Sequence, residues 1–152
     1  MATSSFFKRS RSSAAVSFLC RFTLLFLLGG FCYIGIEILW RGHSHISMFF
    51  AGGFCLCLID RLSMRFAQRR AVWLCVPCGL LITAVEFCIG CVVNLWLGLH
   101  VWDYSGKVGS ILGQICPLYT GLWCCLALVA LWLVRFLQRV VFARFSALTA
   151  CI

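Results

Sequence analysis

Between Arg70 and Asp103 lie thirty-two residues and one formal charge, that of Glu86. As a helix, a run of that length measures about 48 Å, longer than the roughly 30 Å hydrocarbon core of a bilayer. Such a run must cross a membrane or be wrapped in a large core, and composition decides between the two. The 152-residue chain is 63% hydrophobic and 11% charged, with a mean hydropathy of +1.04. A soluble domain carries about a quarter charged residues. So few charges cannot cover a water-facing surface, and the chain reads as an integral membrane protein.

The length allows four spans and short loops. We place them at residues 22–40, 46–62, 71–97 and 115–134, in one helical membrane domain of residues 1–152. The predicted fold is all-α: a polytopic bundle of about four transmembrane helices. The first thirteen residues, MATSSFFKRSRSS, read as a basic cytoplasmic tail. The second run, Ile46 to Ile59, gives only about 21 Å of helix. It either extends by including His45 or Asp60, or is partly re-entrant and covered by protein. DRLSMRFAQRR, from Asp60, reads as a basic loop. Pro77 is expected to bend the third helix. Trp96, Trp102 and Tyr104 suit the interfacial level. The segment from Arg135 onward, with Arg139 and Arg144, reads as a helix end lying along the lipid surface.

The net charge of +9 would suggest nucleic acid in a soluble protein. Here the basic residues sit at segment ends. Eleven of the thirteen fall on one side of the four spans, and Arg41 and Lys107 alone fall on the other. That asymmetry predicts both termini in the cytoplasm. No nucleic-acid partner is expected. There is no phosphate-binding glycine loop and no room for a nucleotide-binding domain, so no ATPase shares the chain. The twelve cysteines include two C-x-x-C pairs, Cys75–Cys78 and Cys88–Cys91. They lie within apolar runs, where cysteine packs as a small hydrophobe; zinc knuckles need polar loops with further ligands. No metal, no cofactor and no enzymatic activity are expected. His43 and His45, two residues apart, make a poor metal pair on a helix.

At 100° per residue, Gly79, Thr83, Glu86, Gly90 and Asn94 fall within about 80° of one another. The first run carries a comparable face: Gly30, Tyr33, Glu37 and Arg41. In both, a glycine precedes a glutamate by seven residues, and the second and fourth runs align loosely. This pattern suggests two copies of a two-helix unit in parallel orientation, a plan known among transporters. Glu86 then faces the Gly30 to Arg41 stripe of the first span. Two readings stay open for it: a packing contact that bonds another span, or an intramembrane carboxylate whose charge or proton is used. Glu37, one turn before Arg41, reads as an i, i+4 ion pair.

Three blocks, IEILWRGHSHISMFFAGG, ITAVEFCIGCVVN and VWDYSGKVGSILGQICPLYTGLW, resemble those of the bacterial ABC-transporter type IV (CmpB-type) membrane proteins. The resemblance covers roughly Gly30 to Leu133. It falls on Glu37, Arg41, Gly42, His45 and Ser47, then on Glu86, Gly90 and Asn94. Trp102, Asp103, Tyr104 and Ser105 follow, and then Gly113 to Cys116 with Gln114. Ser110 or Ile111 stands where relatives carry an asparagine. The resemblance implies a permease in the bacterial cytoplasmic (inner) membrane, with no substrate attached. Glu37, Arg41, His45, Trp102 to Ser105 and Gln114 would gather at the outer ends of the spans. Arg41 and Asp103 are candidates to close that cluster, as a substrate mouth or as a clasp between hairpins.

Four spans alone make a small pathway. A permease of this size would need a homo-oligomer or a partner ATPase, with membrane lipid around it. A small proton-coupled exporter using Glu86 is the alternative, and a non-transport regulatory or interaction membrane protein is the third reading.

Overall fold

The computed structural model describes residues 2–142, with side chains from residue 16 onward. The described chain is all helical apart from its connections. Helix α1 spans Ala2–Arg41, α2 Ile46–Arg65, α3 Ala71–Gly90 and α4 Pro117–Leu137. α3 continues as a π-helical segment, Cys91–Trp96, and α4 as another, Gln138–Phe142. Four helices are long and apolar enough to cross a membrane: Val16–Arg41, Ile46–Arg65, Ala71–Trp96 and Pro117–Phe142. In hydrocarbon every backbone N–H and C=O needs an internal partner, which a helix supplies from within its own segment.

The helices differ from the expected spans in three places. α1 begins at Ala2, so the basic segment at residues 1–13 is a helical extension of the first span from Ala2 onward. It contains no glycine or proline to stop a helix. The second run does not stop at Ile59: α2 carries on through Asp60 to Arg65, twenty residues in all. The fourth helix does not end at Val134 and turn along the lipid. It runs unbroken to Phe142; the remainder of the expected surface segment, with Arg144, lies outside the described residues.

Both extensions carry polar groups that are paired within the bundle. Asp60 is buried and accepts from Arg21 Nε at 3.0 Å and Arg21 Nη2 at 2.6 Å. Gln138 Nε2 donates to the same carboxylate at 2.8 Å. Arg135 donates to Ser63 Oγ at 3.3 Å and to the Arg69 carbonyl at 2.7 Å. α1, α2 and α4 are tied together at this end. Arg21→Ala strands a buried carboxylate and is expected to cost about 3 kcal/mol. Arg21→Met combined with Asp60→Leu should recover most of that loss, as read by thermal unfolding in detergent. A single variant as stable as the parent would contradict the assigned pairing.

The bundle is two hairpins. α1 packs along α2 and α3 along α4, while α2 also touches α3 and α4. The first hairpin closes on glycine. A Cβ on Gly29 would strike the Gly52 carbonyl, and one on Gly52 would strike the Gly29 carbonyl and Tyr33 Cβ. The close approach at Gly52 is backbone against backbone. Gly30 is likewise filled by Phe49, and Gly53 by Phe26. Between the hairpins lies the core, with Leu25, Ile59, Cys78, Ala127, Leu131 and Val134 all within it.

Candidate functional site: a carboxylate between the third and fourth helices

The five-residue stripe of α3 forms one column, and it faces α4 and the connection before α4. Among the described residues its hydrogen bonds go there and not to α1, whose Tyr33, Glu37 and Arg41 line a cavity together with Tyr104 and Trp123, the two donors to Glu86. Gly79 lies against the Cys124 backbone and sulfur. Thr83 Oγ1 donates back to the Gly79 carbonyl at 3.1 Å and meets Thr120 Oγ1 at 3.3 Å. Glu86 is 5% exposed. Trp123 Nε1 donates to its Oε2 at 2.6 Å, and Tyr104 Oη donates to its Oε1 at 3.1 Å. A Cβ on Gly90 would meet the Gln114 side chain and the Trp102 ring.

Asn94 ends the column. Its Nδ2 donates to the Trp102 carbonyl at 3.0 Å and to Gln114 Oε1 at 2.7 Å. Its Oδ1 accepts from the Val101 N–H at 2.7 Å. Trp102 Nε1 donates to the Gln114 carbonyl at 3.0 Å, and Gln114 Nε2 donates to the Leu112 carbonyl at 3.0 Å. Trp102, Asn94 and Gln114 are buried, and each has its polar groups paired. Buried polar networks are stable when fully satisfied. This one fixes the connection from Val101 to Cys116 onto the C-terminal end of the third helix, and so places the Tyr104 hydroxyl over Glu86.

Glu37 and Arg41 pair on α1, and Ser44 Oγ donates to the second Glu37 oxygen at 2.6 Å. Arg41 reaches across to the Val101 carbonyl at 3.3 Å. This links the first hairpin to the Asn94 network through backbone. The expected Arg41–Asp103 contact is not made. Asp103 is exposed and accepts from Ser105 twice, from the hydroxyl at 2.6 Å and the N–H at 2.8 Å. Those two bonds hold its carboxyl below the usual carboxylate range. A carboxylate that is already satisfied two residues away does not reach for a guanidinium. Gly113 fits beside this turn at φ +69°, where a Cβ would meet Ser105 Oγ at 2.6 Å. His45 stands apart as the N-cap of α2, its Nδ1 accepting from the Ser47 N–H at 3.2 Å.

Glu86 makes no ion pair among the described residues. Among the described residues the ion pairs are Arg21–Asp60 and Arg41–Glu37, so this carboxyl is held by two neutral donors alone. Both donors also line a cavity of about 370 Å³ that opens between α1 and α4, with Tyr33, Glu37, Arg41 and Tyr119 on its other walls. Tyr104 stacks on Tyr119 with ring centroids 4.4 Å apart, and Tyr33 lies 5.9 Å from Trp123. The cavity therefore presents an aromatic wall, an ion pair at its rim, and a buried carboxyl one side chain behind the wall. Sequence reasoning missed Trp123, Tyr119 and the Arg21–Asp60–Gln138 cluster. Trp123 was legible in principle: Thr120, Trp123 and Ala127 share a face of α4 at helical spacing.

These features define a four-span helical membrane protein with a polar column between its third and fourth helices. The family model described as "Putative ABC-transporter type IV" (ABC_trans_CmpB) matches residues 25–151, and the chain belongs to that family. No curated protein and no solved structure matches it.

Proposed function

We propose that the chain is the membrane-embedded permease component of a bacterial inner-membrane transporter, and that it works as an oligomer or with a partner ATPase. The observation that carries this reading is Glu86, an ionisable group buried between two spans beside a cavity and without an ion-pair partner among the described residues. Intramembrane carboxylates are costly and are retained where a pathway or a coupling step uses them. The family description supports the ATPase-linked form. The lack of a cation partner favours a second form, a proton-coupled exporter in which Glu86 exchanges a proton against substrate. Solute flux in vesicles separates the two. Flux that stops on ATP depletion, with an ATPase co-purifying, supports the first. Flux that persists without ATP and stops in Glu86→Gln supports the second.

The proposed orientation places both termini in the cytoplasm. Arg21, Arg61, Arg65, Arg69, Arg70, Arg135 and Arg139 stand at one end of the bundle, against Arg41 and Lys107 at the other. Reporter fusions after Ala67 and at the C-terminus should both read cytoplasmic. An external signal at either position would overturn the orientation.

A further inference from the structure

α1 leans on α2 and leaves its flank toward α3 open. The result is a lateral groove of about 930 Å³ floored by α2. Phe18 and Phe22 of α1 form one wall, Leu81 and Val85 of α3 the other, and Phe54 and Leu58 lie along the floor. Its lining runs from Ser47 to Met64 on α2, about 25 Å of helix at 1.5 Å per residue. That is most of the hydrocarbon thickness. Lined almost wholly by apolar side chains, the groove faces sideways into the bilayer region. Its charged lining residues are Arg21, Asp60 and Arg61, all at the end that also carries Arg65. Asp60 is taken up by Arg21 and Gln138. Arg61 has no carboxylate partner among the described residues. It is exposed, with its guanidinium carbon 4.5 Å from the centroid of the Phe18 ring. One uncompensated guanidinium thus stands over the mouth of an apolar slot.

We infer that this groove holds an anionic phospholipid, one acyl chain lying between α1 and α3 along α2 and the headgroup phosphate on Arg61. An acyl chain supplies apolar contact along the slot. A phosphate supplies the acceptor that the Arg61 fork needs, in bidentate geometry. A neutral zwitterionic lipid brings its own cation beside that phosphate, so the charge of the site selects the anionic headgroup. Basic pockets between spans are the usual sites of such recognition. The inference requires only that the helices lie in a bilayer, and it is independent of whether Glu86 serves transport.

Native mass spectrometry of the protein in mild detergent tests it. The protein is titrated with an equal mixture of phosphatidylglycerol and phosphatidylcholine of identical acyl chains. Phosphatidylglycerol adducts should exceed phosphatidylcholine adducts at least fivefold. Arg61→Gln should bring the two to parity and Arg61→Lys should keep most of the preference. Ala84→Phe, which fills the groove from an exposed position of α3, should remove both adducts, and Cys88→Trp from the same wall should do likewise. Glu86→Gln should bind lipid as the parent does, so failure of the transport reading leaves this result standing. Three outcomes would overturn the inference. One is no adduct of either lipid, and another is a preference that survives Arg61→Gln. The third is a dimer by light scattering that Ala84→Phe dissociates, which would make a second copy the occupant.

Discussion

Glu86→Leu is expected to lower the amount of folded protein in the membrane several-fold and to loosen α4 from α3. The substitution leaves Trp123 Nε1 and Tyr104 Oη as buried donors with nothing to accept them. Each orphaned group costs about 1–3 kcal/mol. Interhelical bonds in membranes are often weaker, near 0.6 kcal/mol, because the separated helices find other partners. Two donors lost at one point still put the expected cost at about 2–3 kcal/mol. Glu86→Gln keeps an acceptor oxygen in similar shape, and it should fold at parent level. Thermal unfolding and membrane abundance, measured for both variants, check the contrast. A Leu variant as abundant and stable as the parent would show that the two bonds do not hold the hairpin.

Gly52→Leu should separate the first hairpin. The glycine is in mutual backbone contact with Gly29, and Tyr33 closes the space beside it. Overpacking typically costs 1–3 kcal/mol when side chains can shift. Here the obstructing atom is a helix carbonyl, so the upper end, about 3 kcal/mol, is expected. Gly35, on the same helix, has open space where its Cβ would be. Gly35→Ala should be neutral or gain up to about 1 kcal/mol through helix propensity. Melting of the two variants side by side decides whether contact, rather than glycine content, makes α1 sensitive.

The four helices were legible because a membrane span needs a long apolar run and little else. The ends were not. Asp60, Arg135 and Gln138 looked like boundary residues when taken within their own segments. Asp60 is buried because Arg21, thirty-nine positions away, supplies its countercharge, and the half-buried Gln138 and Arg135 bond Asp60 and Ser63 beside it. The α3 stripe was legible as a face, since Gly79, Thr83, Glu86, Gly90 and Asn94 recur at helical spacing. Its hydrogen-bond partners were not, because matching stripes pointed to α1. Chain order decides instead: α4 follows α3 through one connection, and consecutive antiparallel helices pack as neighbours. Charge matching also misled at Asp103. A bond two residues along the chain costs less ordering than one across the bundle, and Ser105 takes the carboxylate first. The Asn94–Trp102–Gln114 network follows no spacing rule, and three-dimensional placement alone reveals it.

On the proposed function, the carboxyl of Glu86 is used in transport and is more than a link between two helices. The direct measurement is uptake of a panel of labelled solutes into membrane vesicles enriched in the protein, with Glu86→Gln vesicles matched for protein level. At least one solute should move with the parent protein. In the Gln variant, folded and equally abundant, that flux should fall at least tenfold. Unchanged flux in Glu86→Gln would reduce Glu86 to a packing contact, and no flux of any solute with the parent would contradict the transport reading.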